Sequence, residues 1–487
     1  MQIKNNIFPF ARNLILLFFS VFLFAVALPV TSWIVFLPVL FLVEYSSRKF
    51  VWLYGGLYGV FSYFFYIIWL FKYSSIAMIA VCVLYFFIWA FLFLVLKICY
   101  QKGGKFSGLL MWAVLIIYEY LKTKGFFGFS YGVNGYNQWK NIYLIQISDI
   151  FGVFGVSALL NLCSVVIWSV CGDFIKWKNG KNSCKVSKNS ILELCFFTAF
   201  LMFSYAYGFS RIKHTDSIAC NSKKIKVVAV QNNTDPWKDS FEDYKTDVEN
   251  LIELTEQALE KNPDTSFVIW PETAVVPSIM NNYYLFHEEK RYDLVTSLLE
   301  YINSKNCAFV IGNSGYTEEG DFNSSLIFLP GQNVIPPNPL KYDKMHLVPF
   351  AEYFPFEKKF SSLKNYLLDN GSHFWTPGKE SSVFTFEGLS FSTPICFEDT
   401  FGKDCKLFYK NGARAFFNMS NDAWACSLRC QMQHLQMAVF RSVENHVPSV
   451  RSTASGFTCI IDSCGRIVEA SEPFEKNYVA GQIPILK

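Results

Sequence analysis

Apolar residues run almost unbroken through the first 210 positions, and the chain then changes to short apolar runs set among charged and polar ones. A helix needs about 20 apolar residues to cross a bilayer. On that measure the first part predicts spans near 11–29, 31–46, 51–71, 75–98, 107–121, 144–170 and 191–209. Ala25-Val26-Ala27 has the look of a signal-peptidase site, but another apolar segment follows at once, so the first segment reads as an uncleaved span. Beyond a polar junction at 211–224, strand-like runs recur at 225–230, 267–270, 308–312, 326–329, 383–386, 389–395 and 415–419. A last pair falls around 457–462 and 466–469, and 241–260 has helical spacing with charges on one side. Strands alternating with helices predict a layered sheet covered by helices. The pattern therefore divides the chain into a polytopic α-helical membrane domain, 1–210, and an α/β domain, 225–487.

Charge orients the first domain. With the N-terminus inside, Lys4, Arg12, Arg48, Lys49, Lys97, Lys102, Lys105, Lys176, Lys178, Lys181, Lys185 and Lys188 collect on the inner side. The outer loops hold only Lys72, Lys122, Lys124 and Lys140. Positive residues stay inside, and seven spans from an inside start deliver the α/β domain to the outer, periplasmic face. Composition agrees: with 487 residues, 52% hydrophobic and 51 Phe, the chain is too apolar for an ordinary soluble protein and long enough for two domains. A net charge of +4 does not suggest nucleic acid as a partner. The six histidines are scattered and no Cys-x-x-Cys occurs, so neither a metal nor any other cofactor is expected.

Three stretches carry chemistry. Leu389 to Ile395 leads into Cys396, followed at once by Phe397, Glu398 and Asp399. A thiolate is the strongest ordinary nucleophile, but it needs a base, a positive neighbour and oxyanion donors. Phe267-Val268-Ile269-Trp270-Pro271-Glu272 ends a buried-strand pattern on a carboxylate, and Tyr342-Asp343-Lys344-Met345-His346-Leu347-Val348-Pro349-Phe350 sets a lysine among apolar residues. Taken singly, each has a plain structural reading: Cys396 as a small buried hydrophobe, Glu272 as a turn residue, Lys344 as a solvated loop charge.

Their order and wording resemble the Glu-Lys-Cys triad of the nitrilase superfamily, and in particular its membrane branch, the apolipoprotein N-acyltransferases. Asn418-Met419-Ser420-Asn421-Asp422-Ala423-Trp424 and Gln433-His434-Leu435-Gln436-Met437-Ala438 resemble that branch too. Soluble nitrilases share the triad but not the phrase from Lys344 to Phe350 or the membrane half. The resemblance implies an α-β-β-α sandwich over roughly 222–486, with Glu272 as base, Cys396 as nucleophile, and Lys344 with the Phe397 N–H as oxyanion donors. It implies acyl transfer from a membrane phospholipid, phosphatidylethanolamine as the expected donor, through a Cys396 thioester to the α-amine of diacylglyceryl-cysteine on apolipoproteins, in the bacterial inner membrane. Glu352 and Glu398 match acidic positions near the triad; Trp237, Trp424 and Asn421 match substrate-binding positions. A membrane-tethered amidase is the alternative, and a catalytically dead lipid-binding module a further one.

Other features stand beside the triad. The aromatic loop 125–138 reads as an interfacial belt, the resemblance implies that it is part of a lipid-entry groove, and Asp149 reads as an intramembrane acid. His434 starts a helical pattern and reads as a structural hydrogen-bonder. Phe397 stands where many members of the branch have tyrosine, and Trp237 follows the Gln231 strand at a shorter spacing. Where the branch has a loop with glycine and proline, this chain has Ala425-Cys426-Ser427-Leu428-Arg429-Cys430. A bridge between Cys426 and Cys430 would stiffen that loop; unbridged, they read as lid residues touching lipid. The branch returns to the membrane with one more helix, whereas the residues up to Lys487 read as strand.

Overall fold

The computed structural model describes residues 2–125, 128–180, 185–355, 357, 359–369 and 373–486. Phe126 and Phe127 of the aromatic loop, Lys181 of the inner charge set and Lys487 lie outside them. The chain forms two compact units, Met1–Ile212 and Lys213–Lys487.

The first unit is helical: α1 (Gln2–Val26), α2 (Leu37–Tyr45), α3 (Val51–Tyr66), α4 (Ser75–Lys102), α5 (Ser107–Leu121), α6 (Val153–Lys178) and α7 (Lys188–Asn221), whose last turns belong to the second unit. Among the described residues five stretches are long and apolar enough to cross a membrane: Pro9–Val26, Ser75–Lys102, Gly104–Leu121, Val153–Lys178 and Lys188–Asn221. Three predicted spans differ. The 51–71 segment forms α3, whose 16 residues end at Tyr66 and which is not among those five stretches. The 31–46 segment holds a single 3-10 turn and then α2, whose 9 residues reach only about 13 Å at the α-helical rise. The 144–170 segment is broken at Gly152, which takes φ 63, so the long helix begins only at Val153.

Two of the charges used to orient the first domain are buried. Lys122 donates to Tyr63 Oη at 2.7 Å and the Tyr131 carbonyl at 2.8 Å, and Lys97 to the carbonyls of Val43 and Glu44. Asp149 accepts from the Tyr207 hydroxyl at 2.5 Å and pairs with Arg211 at 3.2 Å, which fastens the turn before Gly152 to α7.

The second unit is built on two sheets. One has the order β12-β1-β2-β3-β4-β5, with β1 (Lys224–Gln231), β2 (Phe267–Ile269), β3 (Ala308–Thr317), β4 (Gly320–Phe328), β5 (Leu340–Asp343) and β12 (Asn477–Pro484). The other runs β11-β10-β9-β8, from β8 (Phe416–Ser420), β9 (Ser449–Thr453), β10 (Cys459–Ile461) and β11 (Ile467–Ala470); β6 (Phe384–Phe386) and β7 (Leu389–Phe391) make a hairpin. Side chains alternate across a strand, and the central strands are covered on both faces. Val227, Ala229, Phe267 and Ile269 meet Ile395, Phe417, Met419 and Val450 between the sheets. Val228, Val230, Val268 and Trp270 instead meet Val248 and Leu251 of α8 (Phe241–Lys261) and Val295 and Leu299 of α9 (Glu289–Asn303). Burial on both faces explains why these strands read as continuous apolar runs. With α10 (Gly402–Lys410) and α11 (Leu428–Asn445) on the second sheet, the layers are α-β-β-α.

The strand expected over 389–395 stops at Phe391. Pro394 has no N–H to give to a ladder, and only single bridges, Ser392 to Phe416 and Ile395 to Met419, carry the pairing on to Cys396.

Candidate active site

Cys396 follows Ile395 directly off that bridged segment and opens the 3-10 turn Cys396–Thr400 with φ 50. A left-handed conformation costs a non-glycine residue about 1 kcal/mol, so something must hold it. Glu398 does: its Oε2 accepts the Ile395 N–H at 2.7 Å, and its Oε1 accepts the Tyr342 hydroxyl, the Met345 N–H and the His346 N–H at 2.7, 2.8 and 3.0 Å. One buried carboxylate thus fastens the cysteine turn to the loop after β5. Burial pushes its carboxyl up, against the pull of those donors and of Lys344.

Lys344 leaves β5 with no exposed surface, its main-chain N–H on the Asn323 carbonyl at 2.9 Å. Its Nζ lies 3.1 Å from Glu272 Oε1 and 2.7 Å from Glu352 Oε1. Burial alone would lower its pKa, but the two carboxylates hold it well above the ordinary lysine value, so it is an ammonium. Glu352 is fixed by the Val348 N–H at 2.9 Å. Glu272 Oε1 also accepts from Asn323 Nδ2 at 2.8 Å, and Oε2 accepts the Asn421 N–H at 2.9 Å.

The Cys396 thiol, 8% exposed, lies 3.5 Å from Ser420 Oγ. Burial pushes its pKa well above the ordinary value; Glu272 adds to this and Lys344 opposes it. At rest the sulfur is a thiol, and to act as a nucleophile it would have to give its proton to a base.

Residues 15–166 match the family described as apolipoprotein N-acyltransferase N-terminal domain, and residues 226–485 match carbon-nitrogen hydrolase. Apolipoprotein N-acyltransferase 1 of Treponema denticola is 36% identical over 509 residues, spanning 99% of this chain and 92% of its own. This chain belongs to the apolipoprotein N-acyltransferase family. Apolipoprotein N-acyltransferase 1 of Treponema pallidum is 38% identical over 92% of this chain and 84% of its own, and the Borreliella burgdorferi protein 31% over 76% and 67%. As a member of this acyltransferase family, the chain is a multi-pass membrane protein with a nitrilase-like α/β domain, as its triad phrases and apolar half led us to expect.

In this family member Glu272, Lys344, Glu352, Glu398 and Cys396 gather at one place, whereas the other sequence candidates take lesser or different positions. Asn421 reaches Glu272 through its main chain, while its side-chain Oδ1 accepts the Ala423 N–H at 3.2 Å. Phe397 is half-buried, its ring edge-on to Phe401 at 4.9 Å. Trp424 is half-buried in the short turn Ala423–Ala425. Trp237 is 64% exposed in the β1–α8 loop, and among the described residues no hydrogen bond or ring contact joins it to the carboxylates. No disulfide joins Cys426 and Cys430. The loop is ordered instead by Ser427, whose Oγ caps α11 by accepting the Cys430 N–H. Among the described residues no cluster of His, Cys, Asp or Glu is placed to hold a metal.

Sequence reading missed Asn323, which holds both Glu272 and Lys344; it lies in the polar first part of β4, ahead of the apolar run Leu326-Ile327-Phe328, where nothing sets it apart from its serine neighbours. It also missed the ring of charge around His434, formed by Asp399, Asp422 and Arg451.

Proposed function

We propose that this protein N-acylates apolipoproteins by two-step acyl transfer through Cys396, with a phospholipid, phosphatidylethanolamine first among them, as donor. The observation that carries this reading is the buried Lys344 ammonium held between two carboxylates, Glu272 buried and Glu352 half-buried, beside a strained cysteine turn. Glu272 takes the Sγ proton as sulfur attacks the donor's ester carbonyl. That transfer leaves the charge of the buried site unchanged, since the thiolate gains what Glu272 loses. Lys344 and the Phe397 N–H steady the tetrahedral oxyanion, each donor of this kind being worth about 3–4 kcal/mol. Collapse expels the lysophospholipid oxygen, which regains the proton from Glu272, and leaves a Cys396 thioester. The α-amine of diacylglyceryl-cysteine then attacks, Glu272 accepts its proton, the amide forms, and the sulfur leaves and is reprotonated.

Glu352 keeps Lys344 aimed and Glu398 keeps the turn closed. Trp237, Trp424 and the Asn421 segment line the approach for the acyl donor and acceptor. The excess of inner-side lysine and arginine supports a periplasmic catalytic domain, with 1–210 in the inner membrane and 211–224 as the junction. Similarity along nearly the whole chain disfavours the amidase alternative. Mass spectrometry of a lipoprotein N-terminus, with and without this protein, tests the reading. A gain of one amide-linked acyl chain is expected; release of free fatty acid without that gain would point to a hydrolase.

A further inference from the structure

His434, in the first turns of α11, is 1% exposed. Its Nδ1 lies 2.7 Å from Asp422 Oδ2 and its Nε2 2.7 Å from Asp399 Oδ1. A neutral imidazole has one N–H and one bare lone pair, so it can donate to only one of two carboxylates. The imidazolium donates to both. Arg451, from β9, holds the other oxygen of Asp399. Two cations and two carboxylates therefore balance in a buried cluster, the arrangement that lets each stay ionised away from water.

The two carboxylates belong to the two segments that the reaction must keep in register. Asp399 lies in the turn that Cys396 opens. Asp422 follows Asn421, whose N–H holds Glu272 Oε2 at 2.9 Å, and Ser420 just before it lies 3.5 Å from the sulfur. We infer that His434, as an imidazolium bridging Asp399 and Asp422, is a positioning residue that sets the spacing of Cys396 and Glu272 for acyl transfer. The inference rests on the reading of those two residues as nucleophile and base.

The charged groups facing the ring are Asp399 from the cysteine turn, Asp422 from the loop before α11, and Arg451 from β9. Burial pushes the imidazole down, but Asp399 and Asp422 outweigh it and Arg451, and carry it up to about 9. Above that pH the ring loses one of its two donors, and one segment is released.

The test uses the full-length protein in mixed micelles of detergent and phosphatidylethanolamine, without acceptor, so that no substrate amine titrates. The rate of acyl-adduct formation on Cys396 is followed by intact mass between about pH 6 and 10. In the wild type the rate should fall above about pH 9. Asp422→Asn keeps an acceptor for Nδ1 but removes a charge, and should move that alkaline midpoint down by about one pH unit or more. His434→Gln should lose at least about tenfold at neutral pH and show no alkaline limb. A common alkaline midpoint in all three proteins, or His434→Gln acylating within about twofold of wild type, would overturn the inference while leaving the acyl-transfer reading intact. No adduct on Cys396 in the wild type would overturn both. Should His434→Gln fail to fold, the Asp422→Asn midpoint decides alone.

Discussion

The Lys344 ammonium lies 3.1 Å from Glu272 Oε1, with side-chain exposures of 0% and 6%. Removing one partner of a buried ion pair leaves an uncompensated charge and costs about 3–5 kcal/mol. In Lys344→Met, Glu272 and Glu352 would face each other without the cation between them. Thioester formation should then fall below about a tenth of wild type, a loss of more than 1.4 kcal/mol in the barrier. Lys344→Arg should be poor as well, because a planar fork does not fit a site shaped around a point charge. An adduct rate above that tenth in Lys344→Met would reduce Lys344 to a structural role.

Glu398→Gln tests the clamp on the cysteine turn. The carboxylate accepts four hydrogen bonds, from Ile395, Tyr342, Met345 and His346. An amide turns an NH2 toward one side of that set. The expected cost is about 2–3 kcal/mol of stability for donors left buried and unmet, with a loss in acylation rate larger than the stability loss explains. Equal activity per folded molecule would contradict it.

Gly312 tests how Glu272 is aimed. A Cβ there would stand 2.3 Å from the Pro271 carbonyl oxygen and 2.6 Å from Glu272 Cα, closer than real Cβ atoms come. Gly312→Ala must push the Glu272 turn away from β3. A shift on the order of 1 Å at a catalytic group costs about a hundredfold. We expect a folded protein with kcat reduced by that order, and a wild-type kcat would show that β3 does not set the position of Glu272.

How much of this was legible beforehand follows from what each residue needs. Glu272 and Cys396 each follow an apolar run, Lys344 is set among apolar residues, all three stand inside distinctive phrases, and these signals are local. The central strands were legible because burial on both faces makes them apolar throughout. β9 was not: Ser449, Arg451, Ser452 and Thr453 are polar yet buried. Arg451 is met by Asp399, and Ser452 donates to the Val230 carbonyl at 2.7 Å. Those partners lie far off in sequence. The same distance hid Asn323 and the carboxylates around His434. The break at Gly152 went unread because the residues on either side of it are as apolar as a span.

The charge on His434 has a stability signature as well. Its folded pKa, about 9, lies above the ordinary 6.5. The bound proton therefore favours the fold. That contribution is complete below about pH 6.5 and is lost as pH rises through about 9. Asp422, held below its ordinary value of 3.8 against the cost of burial, acts in the opposite sense and only in acid. The melting-temperature advantage of wild type over His434→Gln should shrink between about pH 6.5 and 9. A constant advantage across that window would mean a neutral ring.

The most direct measurement incubates the full-length protein with phosphatidylethanolamine alone, maps any acyl group by peptide mass spectrometry, and then adds a diacylglyceryl-cysteine peptide. One acyl chain should appear on Cys396, be absent from Cys396→Ala and Cys396→Ser, and pass to the peptide amine as an amide. An adduct on any other cysteine, or transfer that survives in Cys396→Ala, would contradict the account.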